Sequence, residues 1–299
     1  MQAQACTASR QPDSLLTARI QFYATVDSDS VRPYMPPNVA YMLPASSWAR
    51  KNLAAPKLPT HITETAADCG GFVATFKWGG DYRYTPEQYV RWLHTFGPSW
   101  SATMDFCCEN EITSGKPGIV GQRQWRTTEM AHLFWREYRR APWVWVPTVQ
   151  GWEVADYVRH ARELRPLITE MADYYGSGSA FRVGIGTLCR RASTAMIRAV
   201  SFAVAAELPD VPLHLWGIKL GALRDPIALP AQVVSVDSAA WNGMFGTDLE
   251  VRREWGREQA KHGLPGTQRH YAYTVALPAY QAKVEAALSR PKQLTLLSA

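Results

Sequence analysis

Short apolar runs alternate with longer amphipathic segments along most of the chain. The runs are rich in β-branched and aromatic residues and are bounded by glycine, proline or polar residues, a pattern typical of buried strands. In chain order they cover residues 20–26, 39–45, 62–67, 101–107, 143–149, 181–185, 213–218 and 233–236. Eight strands of this kind are the number that a closed barrel of parallel strands requires.

Helical patterns fill many of the gaps between these strands. Thr85 is placed to cap a helix over 86–96 that begins with a proline, and apolar residues recur at helical spacing over 153–175. Further helices are predicted over 187–208, 249–262 and 280–289. A doubly wound open sheet is the alternative, but no GxGxxG follows a strand to support a dinucleotide-binding fold.

The alternation predicts one α/β domain, a (β/α)8 TIM barrel over residues 18–299 that ends in a helical segment. Residues 1–17 are predicted to be an N-terminal extension. Residues 1–14 are polar and lack the apolar core of a signal peptide, and no apolar run in the sequence is long enough to span a membrane. We therefore expect a cytoplasmic protein without membrane contacts.

Charge and cysteine content narrow the class of function. The formal net charge of +6 favours a polyanionic partner such as a nucleic acid, although a merely basic surface remains open. The five cysteines are odd in number and irregularly spaced, which favours reduced thiols. No CxxC pair is present, so we expect neither a zinc site nor any other metal or cofactor.

Residues that could carry chemistry stand where the predicted strands end. They are Asp68 and Gly71 after the third strand, Asp105 in the fourth, Gln150 after the fifth, Gly186 after the sixth and Asp237 after the eighth. In a barrel these ends converge on the face that carries the active site. Each residue alone is equally well explained as a helix cap, a turn glycine or a loop residue, but capping does not predict their joint placement.

These motifs resemble those of the tRNA-guanine transglycosylases over about residues 40 to 245. The matching segments are Asp68-Cys69-Gly70-Gly71-Phe72 for the family's Asp-Ser-Gly-Gly-Phe, Asp105 for its base-reading aspartate, Val149-Gln150-Gly151 for its Val-Gln-Gly, Ile185-Gly186-Thr187-Leu188 for its Ile-Gly-Gly-Leu and Asp237 for its nucleophile. The pair Asp-x-Gly-Gly-Phe and Val-Gln-Gly is the most specific part of this resemblance.

The sequence departs from the family pattern at several points. Cys69, Val73 and Thr187 replace a serine, a glutamine and a glycine. The family's C-terminal zinc site and appended RNA-binding domain are missing from this sequence. In this respect the chain resembles the DNA-modifying branch of phages and bacterial gene clusters, which inserts 7-deazaguanines such as the 7-cyano form into DNA.

The resemblance implies a mechanism and a role for each matching residue. Asp237 would attack C1′ and form a glycosyl-enzyme, while Asp68 would move protons on the departing and arriving bases. Asp105 would accept hydrogen bonds from guanine, and Gln150 and the N–H of Gly186 would donate to O6. The remaining substrate contacts are predicted for Gly71, Phe72 and Leu188, and Phe106 is a second candidate for stacking on the purine.

The expected partners are a free 7-deazaguanine base and DNA whose guanine is single-stranded or flipped out of the stack. Basic and aromatic residues interleave over 123–140, which suits phosphate contacts and stacking, although a solvated helix face explains them equally well. The arginines predicted to contact DNA are Arg123, Arg126, Arg136, Arg139 and Arg140. A weaker basic set is Arg252, Arg253, Arg257 and Lys261.

Three other functions remain open at this point. A transglycosylase acting on tRNA would use the same chemistry, and a catalytically silent nucleic-acid-binding barrel would not need the three aspartates. A barrel hydrolase acting on sugars would have no use for the purine-reading residues. The sequence also leaves open whether the protein forms a homodimer.

Overall fold

All neighbouring strands in the described part of the chain pair in parallel. The structure is a computed structural model that describes residues 20–26, 35–49, 52–176, 178–191, 193–225, 229–241, 256–257, 260–261 and 272–289. Its strands are β1 (Gln21–Thr25), β2 (Ala40–Pro44), β3 (Thr65–Asp68), β4 (Trp100–Ala102), β5 (Val144–Val146), β6 (Thr148–Val149), β7 (Val183–Ile185), β8 (Leu213–Leu215) and β9 (Val233–Ser238). They form one sheet in the order β5-β4-β3-β2-β1-β9-β8-β7-β6.

The two ends of this sheet are consecutive pieces of one extended segment. β5 pairs with β4 and β6 pairs with β7, and only Pro147 separates β5 from β6. Proline has no N–H for a ladder, but the carbonyl of Pro147 accepts a hydrogen bond from Gly184 N at 2.9 Å. The nine strands therefore occupy the eight positions of a nearly closed barrel, which confirms the predicted (β/α)8 fold.

Helices connect the strands around the outside of the barrel. They are α1 (Ala45–Ala49), α2 (Gly71–Lys77), α3 (Pro86–His94), α4 (Asn110–Thr113), α5 (Ile119–Tyr138), α6 (Val154–Tyr175), α7 (Thr194–Glu207), α8 (Leu220–Arg224) and α9 (Leu277–Leu288), with a π-helical turn over Ala272–Ala276 before α9. None of the described helices is long and apolar enough to cross a membrane. The predicted extension at 1–17 and most of the predicted helix over 249–262 lie outside the described residues.

The structure confirms the predicted start of one helix and shows that the predicted start of another is wrong. The cap at Thr85 is confirmed, because its hydroxyl accepts from Gln88 N at 3.3 Å and the Gln88 side chain accepts from Thr85 N at 2.8 Å. The helix predicted from residue 187 begins only at Thr194, with Ser193 as its cap. Residues 187–191 instead form a turn at the C-terminal end of β7.

Aromatic side chains fill the interior of the barrel beneath the residues at the C-terminal ends of the strands. Tyr23, Trp100 and His214 are buried there, with ring centroids 5.2 Å apart for Tyr23 and Trp100 and 5.0 Å apart for Trp100 and His214. Their strand neighbours, such as Leu213 and Leu215, belong to the core between sheet and helices. The filled interior leaves the C-terminal ends of the strands as the face on which a pocket can form.

Candidate active site

The predicted site residues converge on the C-terminal ends of the strands. Asp68 ends β3, Asp237 lies near the end of β9, and Gln150 and Gly186 directly follow β6 and β7. Asp105 lies three residues beyond β4, and its Oδ2 accepts a hydrogen bond from Gln150 Nε2 at 2.8 Å. Three carboxylates and the amide of a glutamine thus meet on the face where barrel enzymes carry out their chemistry.

Asp237 is held by donors from two neighbouring strands and the loop after one of them. Its Oδ1 accepts from Gly217 N at 2.7 Å and from His214 Nε2 at 3.3 Å, and its Oδ2 accepts from Thr25 Oγ1 at 3.3 Å. The side chain remains partly accessible. Bonds to both oxygens fix the direction of the carboxylate, an arrangement that would suit a nucleophile, which must meet its target atom in line.

His214 is a site residue that the sequence analysis missed. Arg182 donates to Ser235 Oγ at 2.7 Å, and Ser235 Oγ lies 2.9 Å from His214 Nδ1. Because the Asp237 carboxylate can only accept, the imidazole proton is assigned to Nε2, which faces Asp237, and Nδ1 accepts from the Ser235 hydroxyl. Burial lowers the pKa of His214, so the ring donates to Asp237 as a neutral imidazole.

Asp105 and Gln150, which the resemblance predicts to read the base, form a hydrogen-bonded pair in the site. Gln150 Oε1 accepts from Thr187 Oγ1 at 2.6 Å, and Thr187 Oγ1 accepts from Cys108 N at 2.9 Å. This chain of bonds orients the amide so that Nε2 faces Asp105. Thr187, which stands where the resembling family has glycine, adopts the left-handed φ of 54° that glycine favours.

Cys69 and Tyr82 support Asp105 from the other side. Cys69 Sγ lies 3.4 Å from Asp105 Oδ1 and 3.2 Å from Tyr82 Oη, and Tyr82 Oη donates to the Asp105 carbonyl at 2.6 Å. Burial raises the pKa values of both Asp105 and Cys69. The thiol is thus a weak neutral donor that fills the place of the family's serine.

Asp68 has the electrostatic environment of an acid–base residue. Its Oδ1 accepts from Gly70 N at 2.9 Å. Burial raises the pKa of Asp68 to about 7, and the negative charges of Asp105 and Asp237 add to this effect. A carboxyl that titrates near neutral pH can both give and take a proton under physiological conditions.

Two glycines keep space open beside the pair formed by Asp105 and Gln150. A Cβ at Gly71 would overlap Asp105 Oδ1 and lie 3.0 Å from the Asp105 carbonyl oxygen, and a Cβ at Gly186 would lie 2.6 Å from Gln150 Cδ. The N–H of Gly186, predicted to reach guanine O6, donates instead to Val149 O at 2.9 Å in this structure. Gly186 therefore contributes room for Gln150 rather than a free donor.

We predict that Gly71→Ala lowers kcat/KM of the guanine exchange that the resemblance implies by about tenfold or more, because overpacking costs about 1–3 kcal/mol and here displaces Asp105. Gly121→Ala is the matched control. Gly121 lies in α5 with no atom within 4 Å of its added Cβ, so this change should leave the rate unaltered. Equal rates for the wild-type protein and Gly71→Ala would show that Asp105 does not read the base.

Aromatic rings near the strand ends offer flat surfaces for a purine. Phe72 is 36 % exposed and its ring lies 4.6 Å from that of Phe76. Phe106, the other predicted candidate, is buried and covered by the guanidinium of Arg126 at 3.8 Å. Trp216, which sequence reasoning missed, follows β8, is half-buried and lies 4.3 Å from His214. Leu188 is buried beside the site.

The structure separates the arginines that were predicted to contact DNA. Arg123 is 5 % exposed and donates to Thr75 Oγ1 at 2.6 Å and to the carbonyl of Cys107, so its side chain organises the loop after β4 rather than facing solvent. Arg126 lies near the start of α5, covers Phe106 and pairs with Asp81.

Arg136, Arg139 and Arg140 lie at the opposite end of α5. Arg139 is about 20 Å further along the helix axis than Arg126, next to the face where the strands begin. The structure therefore does not bring these three arginines to the site. Of the weaker basic set, Arg257 and Lys261 are exposed, and Arg252 and Arg253 lie outside the described residues.

Arg190 is a cation at the mouth of the site that the sequence analysis did not single out. It is exposed in the turn after β7, its guanidinium covers the ring of Phe76 at 4.9 Å, and it pairs with Glu111 at 3.0 Å. Within the described residues, no three histidine, cysteine or acidic side chains are placed to hold a metal ion. The prediction that the purified protein carries no stoichiometric zinc can be checked by elemental analysis.

Comparison with models of protein families gives a match for this chain. A family model described as DpdA, DeoxyPurine in DNA protein A, matches residues 43–247, more than two thirds of the chain. The matched segment runs from β2 past the end of β9 and contains every site residue from Asp68 to Asp237. No curated protein matches the chain.

Proposed function

The chain belongs to the DpdA family of DNA-guanine transglycosylases, relatives of the tRNA-guanine transglycosylases, and on this premise we propose that it exchanges guanine in DNA for a 7-deazaguanine such as 7-cyano-7-deazaguanine. The predicted resemblance is thereby confirmed, and the protein is a pentosyltransferase of DNA modification. Membership in a DNA-acting family also favours DNA over the tRNA substrate that the sequence alone left open.

One observation carries the proposed mechanism: a fixed carboxylate, Asp237, shares the barrel face with Asp68, whose pKa of about 7 lets it move protons. Asp237 attacks C1′, the bond from C1′ to guanine N9 breaks, and Asp68 supplies a proton to the departing base. The incoming base then attacks C1′, the bond to Asp237 breaks, and Asp68 takes the proton that the incoming base loses. Two displacements give retention at C1′.

Asp105 and Gln150 select guanine in this proposal. The Asp105 carboxylate accepts hydrogen bonds from N1–H and the 2-amino group of guanine. Adenine cannot match this pattern of donors. Gln150 Nε2 has two hydrogens, of which one goes to Asp105, and the other can be donated to O6. Phe72 and Trp216 supply flat apolar surfaces for the ring.

The proposed partners are the free base and DNA in which the target nucleotide is single-stranded or flipped out, because C1′ of a stacked base cannot reach Asp237. A cytoplasmic location in a bacterium or a phage-infected host cell fits this substrate, and a homodimer remains a proposal.

Mass spectrometry of nucleosides tests the proposed function. DNA and tRNA from cells that express the protein and receive 7-cyano-7-deazaguanine are digested separately. We expect the deazaguanine nucleoside in DNA and none above background in tRNA, with cells expressing Asp237→Asn as the control. The deazaguanine nucleoside in tRNA alone would reverse the substrate assignment, and its absence from both would contradict the function.

Arginines at the mouth should matter more for DNA binding than those at the far end of α5. We predict that the double variant Arg126→Ala with Arg190→Ala weakens DNA binding and flattens its salt dependence, since each lost phosphate contact lowers the number of released counterions by about one. The matched control is Arg139→Ala with Arg140→Ala. DNA affinity is measured at several salt concentrations. A larger loss of affinity for the control pair would indicate that DNA binds to the opposite face of the barrel.

A further inference from the structure

Glu109 is a buried carboxyl group that the proposed mechanism does not use. It lies in the loop between β4 and α4 and is 0 % exposed. Its Oε1 accepts from Cys189 Sγ at 3.5 Å, while Oε2 has no hydrogen-bond partner among the described residues. Buried polar atoms almost always have partners, so an unpaired carboxyl oxygen in this position points to a ligand.

The surroundings of Glu109 connect it to the nucleophile. Cys189 lies in the turn after β7, and its Cβ occupies the space that a side chain at Gly217 would fill. Gly217 has a φ of 68°, and its N–H donates to Asp237 at 2.7 Å. Glu109 therefore contacts the turn after β7, and that turn packs against the loop after β8 that binds Asp237. These two segments form this part of the rim of the site.

The order of strands around the barrel indicates which edge of the base meets this part of the rim. Around a guanine the atoms follow the order N9, N3, the 2-amino group, N1, O6 and position 7. With N9 towards Asp237 in β9, the Watson–Crick edge towards Asp105 and O6 towards Gln150, position 7 faces the strands between Gln150 and Asp237. Those strands are β7 and β8.

The chemistry of Glu109 suits a neutral ligand. Nearby cations are engaged elsewhere, since Arg190 pairs with Glu111 at 3.0 Å and Arg191 Nε donates to the Thr187 carbonyl at 3.1 Å. Burial raises the pKa of Glu109, which favours the neutral acid. A neutral carboxylic acid has an O–H to donate and is matched by an acceptor that carries no hydrogen.

We propose that Glu109, with Cys189 beside it, forms the subsite for the substituent at position 7 of the incoming base, and that its carboxylic acid donates a hydrogen bond to an acceptor such as a nitrile nitrogen. The inference rests on the proposed function, because it takes the orientation of the base from Asp237, Asp105 and Gln150. It adds the means by which the enzyme distinguishes a 7-cyano base from guanine or unsubstituted 7-deazaguanine.

A comparison of exchange rates with two incoming bases tests the subsite. Guanine-containing DNA is incubated with 7-cyano-7-deazaguanine or with 7-deazaguanine, and the ratio of the two kcat/KM values is measured. We expect the wild-type ratio to favour the 7-cyano base and to fall about tenfold in Glu109→Leu, which removes one buried hydrogen bond. Glu109→Gln, whose amide still donates, should retain more of the ratio than Glu109→Leu. Glu129→Gln, at an exposed position in α5, is the control and should keep the ratio.

Several results would overturn the subsite. They are a wild-type ratio near one, an unchanged ratio in Glu109→Leu, or a wild-type enzyme that prefers 7-aminomethyl-7-deazaguanine, whose ammonium requires an ionised carboxylate. The wild-type comparison can still overturn the subsite if Glu109→Leu does not fold, and Glu109→Gln then tests the side chain. If the wild-type protein exchanges no base at all, the proposed function fails instead. Calorimetric titration of the protein with the same two bases then tests the subsite separately, through the ratio of their Kd values.

Discussion

Asp237→Asn is expected to fold and to bind DNA, but to exchange no base. An asparagine Oδ1 can still accept from Gly217 N, so the loop after β8 keeps its contact. The amide cannot replace a carboxylate as nucleophile, and the exchange rate should fall by about 10⁴-fold or more, the range seen when a covalent nucleophile is removed.

A covalent adduct gives the direct readout of this variant. Wild-type protein incubated with guanine-containing DNA, without any incoming base, should yield a protein–DNA species that survives denaturation, and Asp237→Asn should yield none. Asp210→Asn serves as the control, because Asp210 is exposed before β8, on the face where strands begin. Exchange by Asp237→Asn at the wild-type rate would place the nucleophile elsewhere, with Asp68 as the first candidate.

Asp68→Asn is expected to slow exchange by about 10²–10⁴-fold, the usual contribution of a positioned acid or base. In the wild-type protein, departure of guanine uses the protonated carboxyl. The rate of adduct formation should therefore fall as the pH rises through about 7, where Asp68 loses its proton. Single-turnover measurements between about pH 5.5 and 8.5 should show this fall in the wild-type protein and not in Asp68→Asn.

The same carboxyl makes a prediction about stability. The pKa of Asp68 in the folded protein, about 7, lies above its value in the unfolded chain, so this residue favours folding most at low pH and loses that contribution as the pH rises to about 7. Asp68→Asn should therefore melt above the wild-type protein at pH 8 and close to it at pH 4. A lower melting temperature for Asp68→Asn at pH 8, or a wild-type rate that rises through pH 7, would contradict the assigned environment.

Local patterns in the sequence were enough to predict the barrel and the residues at the ends of its strands. Apolar runs separated by helical patterns specify parallel strands with helices between them, because each buried strand needs apolar residues on both faces. Once the chain is a barrel, residues at strand ends must share one face. Asp68, Asp105, Gln150 and Asp237 could therefore be grouped without knowledge of any distance, and their motifs carried the resemblance to the family.

What the sequence could not supply were contacts between elements that are distant along the chain. His214 lies between two leucines in an apolar run, and only closure of the barrel places Asp237 and Ser235 around its ring. The pattern Leu213-His214-Leu215 did carry a signal, since alternation puts the histidine inside the barrel. Trp216 is a similar case, because its ring occupies space that Gly184 leaves open in the neighbouring strand.

The positions of the arginines depend most clearly on tertiary structure. Arg123, Arg126 and Arg139 share one helix and one basic, aromatic-rich segment, so composition treats them alike. A helix of 20 residues spans the height of the barrel, and its rotation buries Arg123 against Thr75 while its length carries Arg139 to the opposite end.

Glu109 is likewise an ordinary loop residue in the sequence. Its burial, and the oxygen it leaves unpaired, follow only from packing of the turn after β7 against the loop after β4, because burial is a property of the folded neighbourhood and not of the residue.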